Sequence, residues 1–169
     1  IHALSGEQDM RKMGGLWRRT PVTYALMWIG SLALAGIGID GLFGFAGFYS
    51  KDLILESALG SGLSVGFFAY VLGLCAAFMT AFYSWRLIIL TFHGKSRAEP
   101  HVLEHAHESP LIMLAPLVPL ALGAVFAGWY AYDWFGGEGR DVFWRSAILV
   151  LPKHDSIAAA HRVSAIYKE

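Results

Sequence analysis

The sequence predicts an all-α membrane protein. About three transmembrane helices are expected, the first broken at a glycine-rich midpoint, followed by an extramembrane C-terminal segment. Three observations carry this. Of 169 residues, 56% are hydrophobic and only 15% charged, against about 45–50% and 25% in soluble domains. Mean hydropathy is +0.49. Three stretches have the roughly 20 apolar residues that a bilayer core requires of a helix. As a soluble fold, three helices apolar all round would exceed what so short a chain can bury.

The first stretch, Val22 to Ser50, has Asp40 as its single charge. It is too long for one straight crossing, and it holds Gly36, Gly38, Gly41, Gly44 and Gly47. Each glycine costs a helix interior about 1 kcal/mol against alanine. The density predicts a half-helix over 22–37, a non-helical stretch through Gly44, and a second half-helix over about 45–58. Such breaks at membrane depth need protein cover or a wet cavity, and in transporters they mark ion sites. The second stretch, Gly62 to Trp85, carries no charge, nor does the third, Leu111 to Tyr132. The expected organisation is a loop over 1–20, the broken crossing over 21–58, a crossing over 62–92, a loop over 93–108, a crossing over 109–133, and an opposite-side segment over 134–169. That last segment has turn signals at Gly136-Gly137 and Pro152-Lys153-His154-Asp155, then a short amphipathic stretch over 155–167.

With three crossings, the N-terminal segment and the 93–108 loop share one side. Arg11, Lys12, Arg18, Arg19, Arg86, Lys95 and Arg97 cluster there, so this side should face the cytoplasm, or the matrix in an organelle. Lys+Arg and Asp+Glu are equal at 13 each, so no net field draws nucleic acid. The single cysteine, Cys75, excludes an intramolecular disulfide and a cysteine-based zinc site. Ile1 is not preceded by an initiator methionine, and the sequence is expected to be a piece of a longer chain.

Lys51 is the leading candidate for chemistry. It sits on the second half-helix beside the glycine run, within Gly47-Phe48-Tyr49-Ser50-Lys51-Asp52. A charge near mid-membrane is a functional hypothesis by default. The competing reading is a snorkelling lysine paired with Asp52 or Glu56. Glu56 lies five residues on and is a poor same-face partner. Asp40 either satisfies backbone N–H groups freed at the break or serves as a relay carboxylate. Glu7, Asp9, Arg11 and Lys12 read as a solvated loop with capping carboxylates. His101, Glu104, His105 and Glu108 would share one face of a helix. Pro100 and Pro110 bound that run and no further ligands converge on it, so a solvated loop is expected and no metal site. Trp129, Tyr130, Tyr132 and Trp134 form an interfacial aromatic belt. No phosphate loop, dinucleotide fingerprint or nucleophile elbow occurs.

Several of these motifs resemble a known family. His2 to Leu16, with Gly6-Glu7-Gln8-Asp9-Met10-Arg11-Lys12-Met13-Gly14-Gly15-Leu16, resembles the signature loop of the largest antiporter-like subunit of proton-pumping NADH:quinone oxidoreductase, respiratory complex I. Gly30-Ser31-Leu32-Ala33-Leu34-Ala35-Gly36 and Gly44-Phe45-Ala46-Gly47-Phe48-Tyr49-Ser50-Lys51-Asp52 are similar to its distal broken helix. Phe82-Tyr83-Ser84-Trp85-Arg86, Phe92-His93-Gly94 and His107-Glu108-Ser109-Pro110 resemble the helices that follow. The family often places proline in the break, whereas this sequence has none there and adds Asp40.

The resemblance implies an antiporter-like proton channel in the membrane arm of a translocase. Lys51 would be its distal, proton-transferring lysine, near the periplasmic exit, with Asp52 a tuning partner and Glu56 a candidate partner. The other buried Lys, His and Glu residues of that chain fall outside this sequence. The resemblance also implies a bacterial inner membrane, other membrane-arm subunits, the lipid bilayer and protons as partners. No redox chemistry is expected in this chain. FMN, iron–sulfur clusters, NADH and quinone would be used elsewhere in the whole complex. Two other functions are weighed: a subunit of a multi-subunit Na⁺/H⁺ antiporter, and a non-transporting truncated membrane fragment.

Overall fold

Proline and glycine set the limits of the first helix. Helix α1 runs Pro21–Ala35, with Pro21 at its first turn, where a missing N–H costs nothing. Gly36 ends it in the left-handed conformation, φ 74°. Gly36 N–H donates to the Ala33 carbonyl and Ile37 N–H to the Leu32 carbonyl, both at 3.1 Å. These are the two bonds of a Schellman cap. In this computed structural model, residues 1–39, 42–148 and 155–166 are described. Asp40, Gly41, the 149–154 stretch with the turn signal expected at Pro152-Lys153-His154, and residues 167–169 lie outside them.

After Gly36 the chain forms a two-stranded antiparallel ribbon, β1 Gly38–Ile39 and β2 Phe43–Gly44, in which Gly38 pairs with Gly44 and Ile39 with Phe43. Helix α2 then runs Ala46–Gly60 and α3 runs Ser64–Phe92. At 1.5 Å per residue, the 29 residues of α3 reach about 43 Å. Phe67, Phe78 and Met79 on α3 are 66%, 71% and 63% exposed, which is not how the core helix of a soluble protein packs.

The 93–108 stretch is not all loop. It contains helix α4, Pro100–Glu104. The third apolar stretch is interrupted: α5, Leu111–Leu114, and α6, Leu117–Phe135, lie on either side of Ala115-Pro116. Pro116 and Pro119 each lack the N–H that a continuous helix would use. Together they span Leu111–Phe135, and this unit and α3 are the two helices among the described residues long and apolar enough to cross a membrane. Helix α7, Arg140–Trp144, and helix α8, Ser156–Ile166, complete the mostly helical fold.

Two packing centres organise these elements. The first lies at the loop end of α1 and α3. Leu4, Met13 and Leu16 of the N-terminal turns are buried against Ile88 and Phe92 of α3 and against Ala106. Arg97 fixes this layer by donating from Nε to the Arg11 carbonyl at 2.7 Å and from its guanidinium to the Leu90 carbonyl at 2.7 Å. Arg19 donates to the Leu103 carbonyl. The N-terminal segment and the 93–108 stretch therefore dock on each other. The second centre is α2, which packs against α1, α3, α6 and, most extensively, α8. A Cβ on Gly60 would meet the Ala159 backbone at 2.8 Å, and Ala159 and Ala160 are buried.

Candidate functional site

Lys51 lies in the second turn of α2, and its position follows from how closely α2 meets the end of α1. The last carbonyls of a helix have no partner within it. Leu32 and Ala33 are served by the Schellman bonds. The Leu34 carbonyl accepts a hydrogen bond from Lys51 Nζ instead. The ammonium thus sits at the negative end of the α1 dipole, a favourable place for a cation. The approach depends on Gly47. A Cβ there would overlap the Ala33 carbonyl oxygen and stand 3.0 Å from its carbon. Phe48 covers the ribbon, its ring lying over Gly38 and Gly44. Tyr49 turns the other way, against Gly128 and the ring of Tyr132 at 5.4 Å.

The remaining sequence candidates distribute as follows. Asp52 and Glu56 lie on α2, exposed and half-buried respectively, and each has an interaction of its own. Asp40 lies outside the described residues. Glu7 accepts backbone N–H bonds from Gln8 and Asp9, and Asp9 caps the turn Met10–Lys12 by accepting from Arg11 N–H. The Arg11 guanidinium beside Asp9, reinforced by that backbone bond, holds its carboxyl down at about 2.

The His/Glu run does not form one helical face. Helix α4 ends at Glu104 with His105 as its cap, so Glu108 is outside it. The rings of His101 and His105 touch at 5.9 Å. No group of three or more metal-binding side chains is found among the described residues. Of the aromatic residues near the end of α6, Trp129 and Tyr130 are exposed, and Tyr130 stacks edge to face with Trp134 at 5.0 Å.

Glu108 has a role that its neighbours in sequence disguise. Thr20, the residue before α1, gives its hydroxyl to the Leu16 carbonyl and leaves the helix start uncapped. Glu108 fills that place from 86 residues away, accepting from Val22 N–H at 2.8 Å and from the Thr23 hydroxyl at 2.5 Å. Burial pushes its carboxyl up, but the bonds from Thr23, Ser109 and Val22 outweigh this and leave it below the usual value. A depressed carboxyl contributes stability above its unfolded pKa and loses it as pH falls through the folded value. The cap should therefore hold at neutral pH and fail only below about 4.5. Glu108→Gln is expected to cost about 0.5–2 kcal/mol, the worth of a capping residue. It should also remove the part of the stability that is lost as pH falls below about 4.5. Thermal melts of the detergent-solubilised protein as pH is lowered through that value are the check, and identical acid sensitivity in the variant would refute the assignment.

At the opposite end, Asp155 caps α8 by accepting from Ala158 N–H at 2.9 Å and forms a two-point ion pair with Arg140 at 3.0 and 2.5 Å. The Arg140 guanidinium holds the Asp155 carboxyl below its ordinary value. His161 Nε2 lies 2.8 Å from the Gly136 carbonyl. These contacts tie α8 to α7 and to the end of α6. Neither the capping role of Glu108 nor this pair is legible in the sequence, because both depend on residues apart along it.

Residues 1–80 match the family described as NADH:quinone oxidoreductase/Mrp antiporter, TM. The chain is 54% identical over 151 residues to NADH-quinone oxidoreductase subunit L of Rhodobacter capsulatus, covering 85% of this chain and 21% of that protein. It is 44% identical over 168 residues to NADH-ubiquinone oxidoreductase chain 5 of Phytophthora infestans, covering 99% and 24%. The same subunit of Chondrus crispus is 43% identical over 173 residues, covering 99% and 25%. The chain spans between a fifth and a quarter of the length of these curated relatives. By these matches, at 43–54% identity over 85–99% of its residues, the chain belongs to the family of antiporter-like membrane subunits of NADH:quinone oxidoreductase.

Proposed function

We propose that this chain is part of a proton-translocating channel in the membrane arm of an NADH:quinone oxidoreductase, and that Lys51 carries the proton. The observation that carries the reading is the bond from Lys51 Nζ to the Leu34 carbonyl, where helix α1 stops and α2 begins. Each of these helices has 15 residues, about 22 Å. Either is too short for a 30 Å bilayer core, and together they suffice. On this reading α1 and α2 are the halves of one interrupted crossing, and the ribbon between them is covered by protein. With α3 and Leu111–Phe135 they make three crossings.

Asp52 is the tuning or exit partner, since consecutive helix residues point to different faces, and Glu56 and Asp40 are secondary candidates. The partners are other membrane-arm subunits and lipid, in a bacterial inner membrane. With a single cysteine, this chain has no donor set for an iron–sulfur cluster. FMN, clusters, NADH and quinone are assigned to the rest of the complex. The matched family also covers Mrp antiporters, which leaves a cation/proton antiporter subunit as the second reading. The test is NADH-driven proton uptake by membrane vesicles carrying Lys51→Ala, measured per assembled complex. Uptake should fall to a small fraction of native.

The Lys/Arg-rich loop end is assigned to the cytoplasmic side. In a Cys75→Ser background, a membrane-impermeant thiol reagent applied to intact cells should label Ser156→Cys at the start of α8. Ser96→Cys should be labelled only after permeabilisation, and the reverse pattern would overturn the orientation.

A further inference from the structure

The seam between α1 and α3 holds polar groups that the Lys51 reading does not use. At its loop end, Tyr24 Oη and His93 Nε2 share a hydrogen bond of 3.0 Å. Two turns further along α1, Ser31 and Ser84 of α3 line a narrow cavity with room for one water at most. Ser84 is buried, and its hydroxyl donates to the Thr80 carbonyl at 2.8 Å, which leaves its lone pairs for the cavity. Two hydroxyls are the minimum that a buried water needs. Trp28 and Trp85, edge to face at 4.9 Å, line the same cavity, and the Trp28 ring meets that of Tyr24 edge on at 6.2 Å. Tyr24, Trp28 and Ser31 fall on one stripe of α1 at spacings of four and three, and Ser84, Ile88 and Phe92 on one stripe of α3. One turn beyond Ser31, the Leu34 carbonyl meets Lys51. From Tyr24 to Leu34 the axial distance is about 15 Å.

We infer that this seam is a gated proton route from the loop end to Lys51, with the Ser31–Ser84 cavity as its water site and the Trp28–Trp85 pair as its gate. The inference rests on the reading of Lys51 as a proton carrier. With the two rings in contact, their apolar surfaces keep the section between Tyr24 and Ser31 dry, as hydrophobic constrictions do. When the rings part, water fills that section. His93, protonated from loop-side water, then gives its Nε2 proton to Tyr24 Oη while the Tyr24 hydroxyl proton leaves to the first water. The proton passes along the waters, through the one held by Ser31 and Ser84, and is taken up by the neutral Lys51 amine. Tyr24 and every water end with the protons they started with. His93 loses one and Lys51 gains one.

The test uses the whole oxidoreductase reconstituted in phospholipid vesicles, without NADH, under an imposed pH gradient. Trp28→Ala should raise the passive proton leak several-fold over native, and adding Ser84→Leu, which fills the cavity, should return it to native. A Trp28→Ala complex as tight as native, or a leak unchanged by Ser84→Leu, would overturn the route. Where Trp28→Ala lowers assembly, Ser84→Leu alone is read in the NADH-driven assay. Proton uptake per assembled complex should fall several-fold, and native uptake would overturn the route. The two claims fail separately. Native pumping by Lys51→Ala would sink the Lys51 reading whatever the leak does, whereas lost pumping by Lys51→Ala with tight Trp28→Ala vesicles would sink only the seam.

Discussion

Gly47→Val should disable the channel as thoroughly as loss of Lys51 itself, although Gly47 carries no chemistry. Any Cβ at this position overlaps the Ala33 carbonyl oxygen, so the first turn of α2 must move away from the end of α1. Packed backbone cannot absorb such a shift by a side-chain rotation. Overpacking of this kind costs about 1–3 kcal/mol or more. Lys51 lies four residues further, one turn along the same helix, and moves with it. Its bond to the Leu34 carbonyl is lost and α1 regains an unpaired terminal carbonyl. The expected result is a lower yield of assembled complex and little proton uptake in what assembles. Gly47→Ala should show the same defects in weaker form. Native pumping in Gly47→Val would mean that the close approach of α1 to α2 is not required.

Much of the helical framework was legible locally. The uncharged run after Gly62 marks α3 by composition alone, and the half-helix over 22–37 lies within about two residues of α1, whose ends Pro21 and Gly36 set. The glycine run was read as a cost to helix, whereas in the structure its members do different jobs. Gly36 supplies a left-handed cap and Gly47 a backbone contact, while Gly38 and Gly44 pair beneath Phe48. Pro116 was overlooked as an interruption because the hydropathy on both sides is unbroken.

The candidate site was half legible. Lys51 stands out as a lysine beside the glycine run in an apolar stretch. Its partner does not, because a backbone carbonyl has no sequence signature. Glu108 was grouped with the neighbouring histidines by spacing, yet its contacts are with Val22 and Thr23. Arg97 and Arg19 were counted as charges that set orientation, and they also tie the loops together through backbone carbonyls. The docking of α8 on α2 depends on Ala159 and Gly60, small residues whose value appears only when two helices meet.

The proposed function gives Lys51 two roles that a simple deletion cannot separate. It completes the end of α1 as a cation at a helix C-terminus, and it offers an amine that can take and release a proton. Lys51→Ala removes both and should stop proton uptake, with coupled NADH oxidation falling alongside it. Lys51→Arg separates them. Arginine keeps the positive charge and donors for the Leu34 carbonyl, but it stays protonated under all working conditions. If the cap alone mattered, arginine would restore function. If the proton matters, it cannot.

The most direct measurement is therefore proton uptake and NADH oxidation together, in vesicles carrying Lys51→Arg, normalised to assembled complex. With Lys51 as the proton carrier, the complex assembles to near-native amounts while proton uptake falls at least tenfold and fewer protons move per NADH oxidised. Native uptake at the native ratio of protons to electrons would contradict it and leave Lys51 as a helix cap.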